Sequence, residues 1–199
     1  MEKKSPAVIL ASGSPRRHQI LLDAGIAHTV RPSDADETLP ENISPADAVM
    51  TLARRKAEAA VRDLSPEERE TGTVIVAADT LVWGGGEIFG KPKDRDDAYR
   101  MISTFTGGTH SVFTGVCVTD GVRYDVRFEE SVVYMRDATD KEIYSYIDRY
   151  APYDKAGAYG IQEAAGLFVS RIEGDFQNIV GLPLCLTGIM LKDFGAELF

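Results

Sequence analysis

Apolar and polar positions along the chain fall into two rhythms, and together they predict a mixed α/β fold. Residues 7–11, Ala7-Val8-Ile9-Leu10-Ala11, are apolar without interruption, as expected of a strand covered on both faces. A turn of small residues follows, Ser12-Gly13-Ser14. Ser14 suits a helix N-cap and Pro15 a first helical position, so a helix is predicted over 15–24, ending at Gly25. Residues 28–32 read as a short strand. An acidic loop, Asp34-Ala35-Asp36-Glu37, leads through Pro40 to Ser44-Pro45, which opens a second helix over 46–61. Residues 73–78 are apolar from Val74 onward and read as a second buried strand ending at Asp79, and Gly84-Gly85-Gly86 turns the chain into a hairpin-like return. Further helices are predicted over 94–105, 140–149 and 184–194. Strands are predicted over 109–119 and 122–135, joined by the turn Asp120-Gly121, and over 167–172. No repeat or linker interrupts the 199 residues, so 1–199 reads as one α/β domain with α+β features around a mixed sheet.

Certain polar residues break these apolar rhythms. Asp79 stands at the end of a buried run and before Thr80-Leu81-Val82-Trp83. An unpaired carboxylate there would cost several kcal/mol, so it should meet a cation, a metal or hydrogen-bond donors. Strand ends of this kind commonly carry catalytic groups in α/β folds, although an aspartate capping the local turn would look the same. On the second helix, Val49, Ala53, Lys56 and Ala60 share one stripe at about 100° per residue. Lys56 is thereby central to the inward face, where a lysine either meets an anion or snorkels out. Arg54 and Arg55 point away and read as a solvated face. At the first helix, Arg16 and Arg17 lie in the opening turn, against the positive end of the dipole. Two guanidinium groups, the hydroxyls of Ser12 and Ser14 and the free N–H groups make a seat for a polyphosphate or carboxylate. Lys91, between Gly90 and Pro92, is a candidate phosphate contact or an ordinary turn residue. Glu37 is one of three acidic side chains that position alone does not separate, and Gln162 offers the donor and acceptor that suit a base edge.

Composition narrows the chemistry. The chain has 22 Lys and Arg against 31 Asp and Glu, a formal net charge of −9, which argues against a general nucleic-acid surface. No apolar run is long enough to cross a bilayer. Met1-Glu2-Lys3-Lys4 before residues 7–11 has the outline of a secretory signal, but its apolar part is too short and Ser-Pro-Arg-Arg follows it. Cys117 and Cys185 each lie in an apolar run and are expected as buried, reduced thiols, and the three histidines are scattered. No GxxxxGK[ST] motif is present. Several cations with a few carboxylates and no cysteine or histidine nucleophile fit polyphosphate chemistry assisted by a divalent metal.

Five motifs in order carry a resemblance: 11–17 (ASGSPRR), 77–80 (AADT), 90–92 (GKP), 154–162 (DKAGAYGIQ) and 180–183 (VGLP). On these the chain resembles the Maf family of nucleoside triphosphate pyrophosphatases over essentially its full length, and within it the dTTP/UTP branch. The resemblance implies an elongated α/β fold related to inosine triphosphate pyrophosphatases, with an active-site cleft between two lobes. It implies a cytoplasmic enzyme, often dimeric, using a divalent cation (Mg or Mn). The products would be the nucleoside monophosphate and pyrophosphate, as house-cleaning of the nucleotide pool. It implies that Asp79 acts in catalysis as general base or holds the metal that activates water, two roles the sequence does not separate. Beside it, Lys56, Lys91 and Arg17 are the candidate catalytic cations and Glu37 the candidate second carboxylate for the metal. Ser12, Ser14, Arg16, Arg17, Glu37, Thr80 and Gln162 would bind substrate, Arg16, Thr80 and Gln162 selecting the base. The alternatives are a nucleotide-binding regulator of septum formation, a pyrophosphatase preferring a modified base such as 7-methyl-GTP, and a nucleotidyl or phosphoryl transferase using the same cradle. Two residues depart from the family pattern: Glu163 where glycine commonly follows the glutamine, and Gln177 in place of a smaller residue.

Overall fold

A computed structural model describes residues 5–198; Met1 to Lys4, which entered the signal-peptide reading, and Phe199 lie outside the described residues. The chain divides into two compact units. The first takes the described part of Met1–Asp79, Thr114–Glu129 and the described part of Gly181–Phe199; the second takes Thr80–Phe113 and Glu130–Val180.

In the first unit, β1 (Val8–Leu10) is wholly buried and pairs in parallel with β2 (Thr29–Val30) and β3 (Val74–Gly84), Ile9 facing Ile75 and Leu10 facing Val76. Parallel pairing needs a crossover between neighbours, and two helices supply it. These are α1 (Pro15–Asp23) and α2 (Pro45–Arg62). Ser44 caps α2 by accepting from the Asp47 N–H at 3.1 Å. As the stripe predicts, Val49, Ala53 and Ala60 are buried. The helix lies so close to β5 (Thr109–Thr119) that a Cβ on Gly115 would come within 2.3 Å of the Val49 carbonyl oxygen, which no side chain tolerates. The short helix α3 (Pro66–Glu70), closed by a Ser65–Glu68 capping box, was not anticipated; its five residues are too few to show a period.

Among the described residues the strand order is β2-β1-β3-β5-β6-β7, with β4 (Glu87–Phe89) antiparallel to β3, β6 spanning Tyr124–Met135 and β7 spanning Val169–Glu173. Asp120 shapes the turn between β5 and β6 by accepting from the Val122 and Arg123 N–H groups at 2.9 and 2.7 Å. The second unit adds α4 (Arg95–Phe105) and α5 (Asp140–Tyr150), whose inner faces bury Met101, Ile102, Phe105, Ile143 and Ile147 with Phe89, Tyr159 and Phe168. Two 3-10 turns, Ala156–Ala158 and Ala164–Leu167, and the short helix α6 (Phe176–Val180) also escaped the sequence reading, for the same reason of length. The last helix, α7 (Leu184–Asp193), corrects one expectation: Cys117 is buried but Cys185 is exposed. The side chains of Thr187, Met190 and Leu191 take the inward face of α7, and Cys185 lies about 200° from Thr187 around the axis.

Candidate active site

The site grows out of the turn after β1. Ser14 stands at the N-cap position of α1, yet its side chain makes no capping bond. The hydroxyl of Ser12 organises the turn, accepting from the Ser14 N–H at 3.2 Å and from Arg17 Nη1 at 3.2 Å. Arg17 Nε donates to the Gly181 carbonyl, 164 residues away in sequence, at 2.7 Å, so its guanidinium is held from both the Ser12 turn and the Gly181 backbone. Burial pulls the Arg17 pKa below the ordinary arginine range, Asp79 pulls it back up, Arg16 lowers it and Glu37 raises it. Those four charges therefore sense one another, in the turn where the sequence predicted an anion seat.

The second element is α2. Lys56 Nζ lies 2.5 Å from Asp79 Oδ1 and 2.8 Å from Glu37 Oε1. The Lys56 and Asp79 side chains are only 17% and 14% exposed, whereas Glu37 is 66% exposed. A covered lysine on an inward stripe thus meets its anion rather than snorkelling. Asp79 differs from expectation in one respect: it sits within β3, not at its end, because the strand runs on to Gly84. Thr80, Val82 and Trp83 are strong strand formers, and Lys56 compensates the carboxylate that would otherwise end the run.

The first unit therefore brings Ser12, Arg17, Glu37, Lys56 and Asp79 together, with Ser14 and Arg16 in the same turn. Thr80, half-buried, follows Asp79 in the strand and begins the second unit. Lys91 and Gln162 belong to that second unit, and both are exposed. There the Gly90 carbonyl accepts from the Gly157 N–H at 2.9 Å, tying the Gly-Lys-Pro segment to the glycine-rich loop. Gly157 has φ +70°, and a Cβ on it would meet Val82 at 2.9 Å, so only glycine fits.

Three contacts escaped the sequence reading. The Gly181 carbonyl anchors Arg17, and its only sequence signal was the Val-Gly-Leu-Pro motif. Lys155, with a side chain 10% exposed, meets Asp154 at 2.8 Å and Glu163 at 3.4 Å. Its signal was a lone cation inside a segment of small residues. Arg55, expected on a solvated face with Arg54, instead donates to the Asp36 and Thr38 carbonyls at 3.1 and 2.5 Å. Arg54 does behave as a surface residue, pairing with Glu58 at 2.9 Å.

An ammonium between two carboxylates, with a half-buried guanidinium whose charge senses both, offers donors that can meet an anionic, oxygen-rich group. The two carboxylates also fit a hard divalent cation, which typically takes one or two protein carboxylates and fills its remaining positions with phosphate oxygens and water. Known proteins agree with this chemistry. Residues 7–194 match the family described as Maf-like protein. A protein of Caldicellulosiruptor bescii named dTTP/UTP pyrophosphatase is 44% identical over 193 residues, 96% of each chain. Proteins of the same name from Bdellovibrio bacteriovorus and Chromobacterium violaceum are each 42% identical. The former match covers 95% of this chain and 99% of its own, the latter the whole of both. With a match over nearly its full length, and with the motif residues assembled as described, the chain belongs to the Maf-like protein family.

Proposed function

We propose that this protein hydrolyses dTTP and UTP to the nucleoside monophosphate and pyrophosphate. The observation that carries the reading is the Lys56 ammonium held between Asp79 and Glu37, next to the Ser12–Arg17 anion seat. Water attacks the α-phosphorus; the new P–O bond forms as the bond to the bridging oxygen breaks, and pyrophosphate leaves with the electron pair. Asp79 takes the proton of that water. Arg17 and Lys56 face the triphosphate and stabilise the charge that grows on the leaving group, with Lys91 as a further cation for the phosphate chain. The hydroxyls of Ser12 and Ser14 and the N-terminus of α1 orient the phosphates. Asp79 and Glu37 would hold a divalent cation, Mg or Mn, which when bound polarises phosphoryl oxygens and makes water more acidic. Arg16, Thr80 and Gln162 select the pyrimidine. The nucleotide pool of the cytoplasm is the place of action, and a homodimer is the expected assembly.

The test is product analysis by phosphorus NMR with dTTP, UTP, CTP and 7-methyl-GTP in parallel, with magnesium or manganese. Monophosphate and pyrophosphate in equal amounts, fastest from dTTP and UTP, are expected. Release of inorganic phosphate from the γ position, or a preference for the methylated purine, would overturn the reading.

A further inference from the structure

Glu37 reaches the site from an exposed loop. Its side chain is 66% exposed, on a loop without regular structure, yet its carboxylate reaches Lys56 at 2.8 Å. An exposed glutamate gains little orientation from packing, so the conformation of the backbone that carries it matters to its aim. Arg55, the residue before Lys56 on α2, reaches that backbone. Its Nη1 donates to the carbonyls of Asp36 and Thr38, the two residues that flank Glu37. The Asp36 carboxylate in turn accepts from the Thr38 N–H at 2.9 Å, closing a tight turn around Glu37. This bond and the nearby Arg55 charge hold the Asp36 carboxyl below the usual carboxylate range.

We infer that Arg55 is a positioning residue: by gripping the carbonyls on either side of Glu37, it fixes the turn that aims this carboxylate at Lys56 and Asp79. Consecutive residues of one helix thus serve the two ends of one contact, Arg55 through the loop's backbone and Lys56 through the carboxylate. An arginine suits the task because its guanidinium is rigid, permanently charged and rich in donors. Carbonyl oxygens on an exposed loop would otherwise turn to water, and the loop would sample many conformations. The inference rests on the proposed part of Glu37 in substrate and metal handling.

The experiment is a double-mutant cycle on the full chain, comparing wild type with Arg55→Ala, Glu37→Gln and the double variant. Arg55→Lys and Arg54→Ala serve as controls. Three quantities are read: kcat and KM for dTTP, the Mn²⁺ concentration for half-activation, and Mn²⁺ binding by electron paramagnetic resonance with a non-hydrolysable α,β-imido analogue of dTTP. Misplacing a catalytic contact by about 1 Å costs up to ~100-fold, so Arg55→Ala should lower kcat/KM roughly ten- to hundredfold. It should also weaken Mn²⁺ binding in the same direction as Glu37→Gln. Arg55→Lys should recover part of the loss, Arg54→Ala should show none, and Arg55→Ala should add almost nothing in the Glu37→Gln background. Additive losses, or a lowered melting temperature with unchanged kinetics and Mn²⁺ binding, overturn the inference. A large effect of Glu37→Gln with an inert Arg55→Ala overturns only the inference. An inert Glu37→Gln overturns the assignment of Glu37 as well.

Discussion

Lys56 in the first unit and Lys155 in the second make the same kind of contact, an ammonium against two carboxylates on a mostly covered side chain. Their partners differ in origin, and one of them, Asp79, in exposure. Lys56 takes Asp79 from a strand 23 residues on and Glu37 from a loop on the other side in sequence, and Asp79 is itself covered. Lys155 takes its immediate neighbour Asp154 and the nearby Glu163, with side chains 61% and 43% exposed. A pair assembled from distant elements and withdrawn from water holds charge that a substrate can use, because screening there is weak. A pair made locally and open to solvent fastens a loop, and contributes little beyond that. On the proposed function, similar contacts separate into a chemical role and a structural one by where their members come from.

Asp79→Asn tests that separation most severely. The amide keeps the shape of the carboxylate but accepts no proton, so turnover of dTTP should fall by about 10³-fold, within the range for loss of a general base. Folding should survive, since Lys56 keeps Glu37. Pyrophosphate release close to the wild-type rate would show that the Lys56 cluster is only structural and that the contrast between the units is empty.

Lys56→Met follows, with an expected loss in kcat/KM of about a hundredfold or more, the scale for removing one pre-organised electrostatic contact to a developing charge. The methionine chain fills the apolar stem of the lysine, so packing of α2 on β3 and β5 is preserved. Equal loss of activity and of melting temperature would assign the residue to the fold instead.

His110 and Tyr159, buried in the second unit, sharpen the comparison from the other side, since burial favours their uncharged forms. His110 is buried with its Nε2 2.7 Å from the Tyr159 hydroxyl, and burial lowers its pKa to about 4. Its ordinary value is about 6.5, so as pH falls the unfolded chain takes up the proton first. The stability contributed by neutral His110 is complete above pH 6.5 and is lost progressively towards pH 4, in total about 3 kcal/mol. Urea unfolding at pH 7 and pH 4.5 checks this against the double variant His110→Leu/Tyr159→Phe, which removes both polar groups together. Wild type should lose more stability than the variant over that interval; parallel losses would mean that His110 does not set the acid limit.

How much of this was legible in the sequence depends on the length over which a signal acts. The buried strand residues 8–10, the inward stripe of α2 and the Asp120-Gly121 turn were readable because a period or a turn residue declares them locally. Lys56 and Asp79 were each readable as polar residues in apolar places, although their pairing was not, since 23 residues of chain lie between them. Arg55 and Lys155 were not readable. Nothing local distinguishes an arginine that grips two carbonyls from one in solvent, and the Lys155 stem is covered only once the loop has folded around it. The end of β3 was misplaced because Asp79 looked like a terminator; its compensating cation came from another element.

Lys155→Met should have the smallest effect, and for that reason it defines the lower limit of the comparison. A Cβ on Gly160 would sit 2.8 Å from Lys155 Cε, so the lysine stem lies directly beneath the turn that leads to Gln162. Methionine replaces that stem, and Asp154 and Glu163 can return to water, which leaves a loss of about 1 kcal/mol or less, as for exposed ion pairs. For a chain of this size that corresponds to a melting temperature about 2–4 °C lower. The difference should shrink in 1 M salt, where screening acts over about 3 Å. Glu163→Gly removes only the longer of the two contacts and should cost less again. In both variants kcat for dTTP should stay within about twofold of wild type, against a loss of about a hundredfold at Lys56. A kcat loss at Lys155 comparable to that at Lys56 would place the second lysine in the chemistry, and the origin of the partners would no longer tell a working charge from a fastening one.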